Sequence, residues 1–422
     1  MKEQNRADGR LDLEAIEFHV RDSMHEMGRL LLERLLNADG AGYRGSSIRC
    51  EMDHCCKYVG DREKEVVTVL GRVRVERSYY YDEKCQSGMC PRDAELDIEG
   101  TGFSPGVRRM MARVGALRPF GQGQDDIREL AGLKVTAKDI ERICHDLGQK
   151  VEEFYRANII VGKPVETLYT CMDGTGVPMV GRELVGRKGK GEDGRARTRE
   201  AKLGCIFIQT TTDEKGFPIR DEGSTSYVGA IESASEFAKR IMVEADRRGV
   251  KTARRVVTIG DGAEWIWNLT QEHLPRAIQI VDLYHAREYF WGVARALFMT
   301  NPSRLQEWSK ARTEELDRGD VESVIRAIRR LRPRGTELQK LCEVAVGYYA
   351  HNLHRMRYAD FRKQGLFVGS GVLEAGCRTV IGQRLKLSGM HWTLRGSNAI
   401  IALRTCLLSG RWEDFWAYQA AA

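Results

Sequence analysis

Three carboxylates in this chain stand where strand ends and a helix start bring distant residues together. Asp173 lies in CMDGT, Asp261 in IGDGAEW and Glu374 in SGVLEAG, separated by 88 and 113 residues. The pattern predicts that Asp173 closes one strand, Asp261 closes another, and Glu374 opens a helix packed beside them. Three carboxylates gathered in this way offer hard oxygen ligands to Mg2+ or Mn2+, and such ions keep waters for catalysis. The chemistry that uses this arrangement is phosphoryl transfer, in which two ions about 4 Å apart activate an attacking oxygen and stabilise the departing one. Taken singly, each acid has a plainer reading: Asp-Gly is a common turn dipeptide, and a glutamate in the first helical turn is favoured by the helix dipole.

The elements that must position these acids begin near Pro164. ETLYTCMDG, KLGCIFIQTTT and TSYVGAI read as three strands, and ESASEFAKRIMVEADRRG as a helix with Phe237, Ile241, Met242 and Ala245 on one face. RVVTIGDGAE is a fourth strand, a helix runs through Ile266 and Leu269, and AIQIVDLYH is a fifth strand. This order is that of an α/β ribonuclease H-like core, a mixed five-stranded sheet with flanking helices. From about 286 to 361 the pattern is helical throughout, so an all-α insertion separates the sheet from the helix of Glu374. The expected organisation is 1–100 for an N-terminal helix and cysteine-flanked hairpin, 101–160 for a helical DNA-binding region, and 161–422 for the catalytic domain.

The chain has 422 residues, 42% hydrophobic and 30% charged, with only nine prolines, which excludes a disordered chain. No apolar run reaches the roughly 18 residues of a membrane span, and the opening residues lack the apolar core of a signal peptide. A cytoplasmic, nucleoid-associated bacterial protein is expected. Its eleven cysteines then read as reduced thiols, some of them metal ligands. Residues from about Leu11 to Leu36 repeat Ile16, Val20, Met24, Met27, Leu30, Leu31 and Leu35 at steps of three and four, predicting a helix with a buried stripe.

Val66, Val67 and Val69, then Gly71, then Val73 and Val75 predict a β-hairpin. Cysteines bracket it, and Cys50, Cys55, Cys85 and Cys90 are the ligand set expected for a structural Zn2+, with His54 as a spare donor. Buried thiols without metal are the alternative. Between Gln122 and Val151, two short helices with Ile127, Leu130, Ala131, Ile140, Ile143 and Leu147 inward and Thr136 as the second N-cap resemble a helix-turn-helix. The same pattern fits an ordinary helical hairpin.

The formal charge is +7, and it is clustered. Between Arg182 and Lys202 eight basic residues face four acids among glycines, and Arg329, Arg330, Arg332 and Arg334 form a second run. Arg187, Lys188, Lys190, Arg195, Arg197 and Arg199 are expected to contact DNA phosphates, as are Arg378, Arg384 and Lys386 on and beyond the helix of Glu374. A solvated basic face is the alternative for each run. Of Trp265 and Trp267, one is expected in the core and the other is a candidate to stack on an unpaired base. VGSGVLEAG is not a nucleotide-binding loop, because Glu374 stands where the third small residue belongs and a carboxylate there repels a pyrophosphate.

The strings GDGAEWIWN, VDLYHAREY and GLFVGSGVLEAGCRTVIGQRLKLSGMHWT resemble the DDE transposases of bacterial insertion sequences, specifically the ISKra type within the Mutator-like group. The similarity covers most of the chain. It implies a ribonuclease H-like catalytic core, a triad of Asp173, Asp261 and Glu374 split by a helical insertion, and two Mg2+ or Mn2+ ions per site. It also implies that Asp282 and His285, in DLYH, join the catalytic set, with the histidine near the scissile phosphate. Relatives of this kind carry a tighter CxxC in the second cysteine pair than Cys85 and Cys90 provide. The implied function is a transposase that binds the terminal inverted repeats of its element, cleaves DNA and transfers strands to target DNA. It would act as a homo-oligomer and have no membrane partner. A DNA-binding regulator or domesticated non-cutting relative, and a general ribonuclease H-like nuclease, are the competing readings.

Overall fold

The computed structural model describes residues 11–50, 52–84, 86–157, 162–189 and 194–421. The chain divides into two compact units, Met1–Cys144 and His145–Ala422, where the sequence places boundaries near 100 and 160. Among the described residues no helix is long and apolar enough to cross a membrane.

The first unit opens with helix α1 (Leu13–Leu36), capped by the Asp12 side chain. A four-stranded antiparallel sheet follows: β1 (Ser47–Arg49), β2 (Cys55–Thr68), β3 (Gly71–Asp82) and β4 (Ser87–Met89), in sequential order. The expected hairpin is β2–β3, and its inward valines Val66, Val73 and Val75 form a core with Ile98. One side of α1 closes over this core through Leu32 and Leu36. The stripe predicted to be buried lies elsewhere: no residue of α1 is buried, and Val20, Met24, Met27, Leu30, Leu31 and Leu35 are exposed. The periodicity identified the helix, whereas only the tertiary contacts show which turns of it meet the hairpin.

Helices α2 (Pro91–Glu95), α3 (Pro105–Leu117), α4 (Phe120–Ala131) and the start of α5 (Ala137–Ala157) complete this unit. The α4–α5 pair is the helix-turn-helix-like segment of the sequence. Gly132 ends α4 at φ +68°, in the left-handed region. Thr136 and Asp139 cap the start of α5 reciprocally: the Asp139 amide donates to Thr136 Oγ1 at 3.1 Å, and the Thr136 amide donates to Asp139 Oδ2 at 3.2 Å. Ile127, Ile140 and Ile143 are buried as expected, but Leu130 is 79% exposed.

The second unit is mixed α/β. Its five-stranded sheet comprises β5 (Thr167–Pro178), β6 (Thr198–Gln209), β9 (Ser226–Ala230), β10 (Arg255–Gly260) and β11 (Ile278–Val281), with the two-residue strands β7 (Thr211–Thr212) and β8 (Pro218–Ile219) forming a separate ribbon. The spatial order is β11-β10-β5-β6-β9. The β5, β10 and β11 strands run parallel, while β6 is antiparallel to both of its neighbours. Long apolar runs such as Leu203 to Phe207 follow from burial of both sheet faces. Helices α6 (Ala234–Arg247) and α7 (Glu264–His273) make the crossovers into β10 and β11.

After β11 the chain is helical: α8 (Leu283–Phe298), α9 (Pro302–Asp317), α10 (Val321–Arg330), α11 (Thr336–Asn352) and α12 (Tyr358–Lys363). It then enters α13 (Gly371–Gly376), which runs on through a π-helical turn (Cys377–Gly382) into α14 (Gln383–Leu385). The last helices are α15 (Leu394–Leu408) and α16 (Trp412–Ala421). Arg404 of α15 is buried and donates through Nε to the Val380 carbonyl at 2.8 Å and through Nη2 to that of Thr379, so the wide turn is held from behind.

Candidate active site

The site is built by register. In the parallel pairs, Met172 of β5 lies opposite Gly260 of β10, and Gly260 lies opposite Val281 of β11. The next residue on each strand is an acid: Asp173, Asp261 and Asp282. Adjacent strands are about 4.8 Å apart, so three carboxylate residues stand in one row where the parallel pairing ends. Asp173 does not close its strand as predicted; β5 continues to Pro178, paired with β6 through Asp173↔Leu203 and beyond.

Asp173 is half-buried, and its carboxyl is raised above the usual carboxylate range, first by burial. The Cys377 thiol, donating to its Oδ2 at 3.3 Å, opposes this most strongly, while the neighbouring Asp261 adds to it. The Gly174 amide, 2.7 Å from Oδ1, and the charge of His285 also favour ionisation. Asp261 Oδ1 accepts the Ala263 amide at 2.8 Å. Its carbonyl accepts the Tyr348 hydroxyl at 2.9 Å, and Tyr348 stacks on Tyr289 with ring centroids 3.7 Å apart. Between them Gly262, at φ +104°, has no room for a side chain, because a Cβ there would lie 2.5 Å from the Tyr348 ring.

Asp282 is committed to hydrogen bonds. It caps α8 by accepting the His285 amide at 2.8 Å, and its other oxygen accepts the Ser370 hydroxyl at 2.6 Å and the Ser370 amide. The Val368 carbonyl also accepts the Leu283 amide at 2.9 Å. The VGSG segment is thus tied to the start of α8, and this sets where α13 begins. Glu374 is exposed on α13, and Cys377 follows three residues later, on the same helical face. Because Cys377 touches Asp173, the helix carrying Glu374 lies over the acidic end of β5. His285 is partly exposed in the first turn of α8, with Nδ1 3.3 Å from Glu288 Oε2.

Among the described residues no lysine or arginine pairs with Asp173, Asp261 or Glu374. Asp173 and Asp261 are neighbouring carboxylates of the oxygen-donor type that suits a hard divalent cation. Among the described residues, however, Asp173, Asp261 and Glu374 do not form a group whose ligand atoms all lie within 4.8 Å of one another, whereas the sequence pattern predicts that they gather. Cys377 was missed by sequence reading. Its only sequence signal is its position, one helical turn after Glu374.

The basic residues separate into groups. Arg187, Lys188, Arg195 and Arg197 are exposed on a ribbon that continues the β5–β6 pair, with Lys188 bridged to Arg195; Lys190 lies outside the described residues. Arg199 is half-buried, 3.7 Å from Glu183. Arg378 and Lys386 are exposed, and Lys386 Nζ donates to Thr175 Oγ1 of β5. Arg384 corrects its expectation: it is 0% exposed, with its guanidinium 4.9 Å from the Trp392 ring, and cannot reach a phosphate. Trp392 also donates from Nε1 to the Leu385 carbonyl at 3.0 Å, and its backbone pairs with the end of β5 through Met179. That is the structural use of the GMHWT string. Of the α7 tryptophans, Trp267 is buried under Arg355, the core member expected of the pair, whereas Trp265 is half-buried and meets Phe237 edge-on.

In the first unit, among the described residues, Cys55 and Cys90 of the expected Cys50, Cys55, Cys85 and Cys90 set do not gather with Cys50. Among the described residues the group able to surround an ion is Cys50, Cys56 and Asp82. Cys55 is exposed next to Cys56 on β2, where successive side chains point to opposite faces. Cys90 is buried at the start of α2 near Arg77 and Asp93, and Cys85 lies outside the described residues.

No protein-family model matches this chain, and no curated protein matches it.

Proposed function

We propose that this protein is a DDE-type transposase with a ribonuclease H-like catalytic core, which binds the ends of an insertion sequence and performs metal-dependent DNA cleavage and strand transfer. The observation that carries the reading is the row of acids. Register sets Asp173 beside Asp261 where the parallel pairing of β5 and β10 ends, and the Cys377 contact brings the helix of Glu374 over Asp173. The strand order, with one antiparallel wing and a helical stretch before α13, supports the ribonuclease H-like assignment.

Asp173, Asp261 and Glu374 would hold the divalent ions, which supply activation of a water or 3'-hydroxyl and charge neutralisation at phosphorus. Asp282 acts as a positioning residue, since its carboxylate is spent on the α8 cap and on Ser370. His285, partly exposed and near enough to Asp173 to act on its charge, would hydrogen-bond a phosphate oxygen. Lys386 and Arg378 bring positive charge to the same helix end. The ribbon of Arg187, Lys188, Arg195 and Arg197 offers phosphate contacts that position DNA without reading its sequence.

The test is strand cleavage of labelled DNA from the flanks of the gene, with Mg2+ or Mn2+, comparing wild type with Asp173→Asn, Asp261→Asn and Glu374→Gln. Cleavage at one repeat boundary, lost in all three variants while DNA binding persists, is the expected result. Full cleavage by Asp261→Asn would remove that residue from the site. Binding without cleavage by any form would favour the regulator, and cutting without preference for the ends would favour a general nuclease.

A further inference from the structure

We propose that Cys50, His54, Cys56 and Asp82 form a structural zinc site in the first unit, with a ligand set different from the one spacing alone selects. The inference does not depend on the catalytic reading.

Three chain segments meet at this point. Strand β1 ends at Arg49, opposite Cys55, and Ile48 lies opposite Cys56. The next residue, Cys50, begins a tight turn in which the Cys50 amide donates to the His54 carbonyl at 3.0 Å and the Asp53 amide donates to the Cys50 carbonyl at 2.9 Å. Asp53 adopts φ +59° there, the left-handed conformation tolerated by aspartate. On the other side of β2, Lys57 pairs with Tyr81, so Cys56 is level with Asp82 at the end of β3. The sheet therefore delivers two thiols and a carboxylate to one place, and their ligand atoms all lie within 4.8 Å of one another. His54 Nδ1 stands 3.3 Å from Asp82 Oδ2.

Tetrahedral zinc with Zn–S of about 2.3 Å and Zn–N or Zn–O of about 2.0–2.2 Å sets its ligand atoms roughly 3.3–3.8 Å apart. Cys50, Cys56 and Asp82 would therefore close on an ion by contractions of up to about 1.5 Å, and His54, already beside Asp82, is the donor that would turn inward to complete the shell. The burial argues in the same direction. Asp82 is only 3% exposed and Cys56 1% exposed, and a carboxylate removed from water requires strong compensation. The Lys84 amide, 3.0 Å from Asp82 Oδ1, fixes the carboxylate orientation as an outer-shell partner would. Two sulfur donors with one imidazole favour zinc over the hard cations that suit an all-oxygen site. The ion would pin the β1–β2 turn to the end of β3, at the edge of a sheet whose valine core is small.

The test is the zinc content of the full-length protein purified from zinc-supplemented cells, with chelator competition to measure affinity. Wild type, Cys55→Ser and Cys90→Ser should each carry about one zinc per chain. Cys50→Ser, Cys56→Ser and Asp82→Ala should lose it, and His54→Ala should bind at least about tenfold more weakly. Because ligand variants can misfold, metal-free wild type refilled with Co2+ provides a second readout: tetrahedral d–d bands with thiolate charge transfer are expected. Wild type that takes up no zinc, zinc retained in Cys56→Ser and Asp82→Ala, or an octahedral cobalt spectrum would overturn the proposal. So would loss of zinc from Cys55→Ser or Cys90→Ser, or a Cys50–Cys56 disulfide in the protein purified without reductant.

Discussion

At Asp173, burial and the charge of Asp261 both work against ionisation, and the Cys377 thiol is the strongest influence in the other direction. Replacing Cys377 with alanine removes that donor, whereas serine keeps one. Under the transposase reading, Cys377→Ala should slow DNA cleavage by up to about tenfold, as expected for a weak hydrogen bond to a charged group, with Cys377→Ser recovering most of the rate. Equal loss in both variants would reduce Cys377 to a packing residue. At Gly262 the constraint is steric. A side chain there meets both an unfavourable φ and the Tyr348 ring, so Gly262→Ala should cost about 1–3 kcal/mol in urea unfolding and, under the transposase reading, impair cleavage through displacement of Asp261.

At the scale of elements, caps and close approaches decide where helices begin and what they touch. Asp320 caps α10 by accepting the Ser323 amide at 3.1 Å and the Ser323 hydroxyl at 2.6 Å, and the hydroxyl bond is the main reason its carboxyl titrates below the usual value. Asp320→Ala should destabilise the protein by about 1 kcal/mol. A carboxylate with a depressed folded-state pKa contributes stability above its unfolded pKa and loses that contribution as pH falls through the folded one. The difference between wild type and variant in chemical denaturation should therefore be constant from neutral pH down to about 5 and shrink toward pH 3. Gly148 on α5 illustrates close approach: a Cβ there would lie 2.6 Å from the Ala399 Cα on α15. Gly148→Ala should force these helices apart and cost about 1–3 kcal/mol, read as a lower unfolding midpoint.

At the scale of the whole molecule, the modest net charge matters through its distribution. The exposed Arg187, Lys188, Arg195 and Arg197 project from the β5–β6 ribbon, whereas Arg384 is locked in the interior. Under the transposase reading, replacing the four ribbon residues with alanine should weaken DNA binding across sequences and lower the slope of log affinity against log salt by about 3–4, given roughly 0.9 per phosphate contact. Arg384→Ala should instead reduce stability and leave that slope unchanged. A quadruple variant that binds DNA with wild-type affinity and salt dependence would show the ribbon to be a solvated face.

Local patterns were sufficient for the elements themselves. Alternating valines at Val66, Val73 and Val75 identified the hairpin, Thr136 marked the start of α5, and β-branched runs marked five strands with helices in the observed order. The two aspartates of the candidate site were legible because each follows such a run immediately. Spacing along the chain, however, carries no information about register or about which face is covered. The alignment of Asp173 with Asp261 and Asp282 depends on strands brought together from positions 88 or more residues apart. The pairing of Cys56 with Asp82, rather than Cys55 with Cys90, depends on the side-chain alternation of β2 against β3. The exposed stripe of α1, the exposed Leu130 and the buried Arg384 have the same origin. The sequence by itself determined the local backbone, because turn chemistry and hydrophobic period act over a few residues. The tertiary structure alone decided which side chains share a site, because burial and pairing are set by residues far away in the chain.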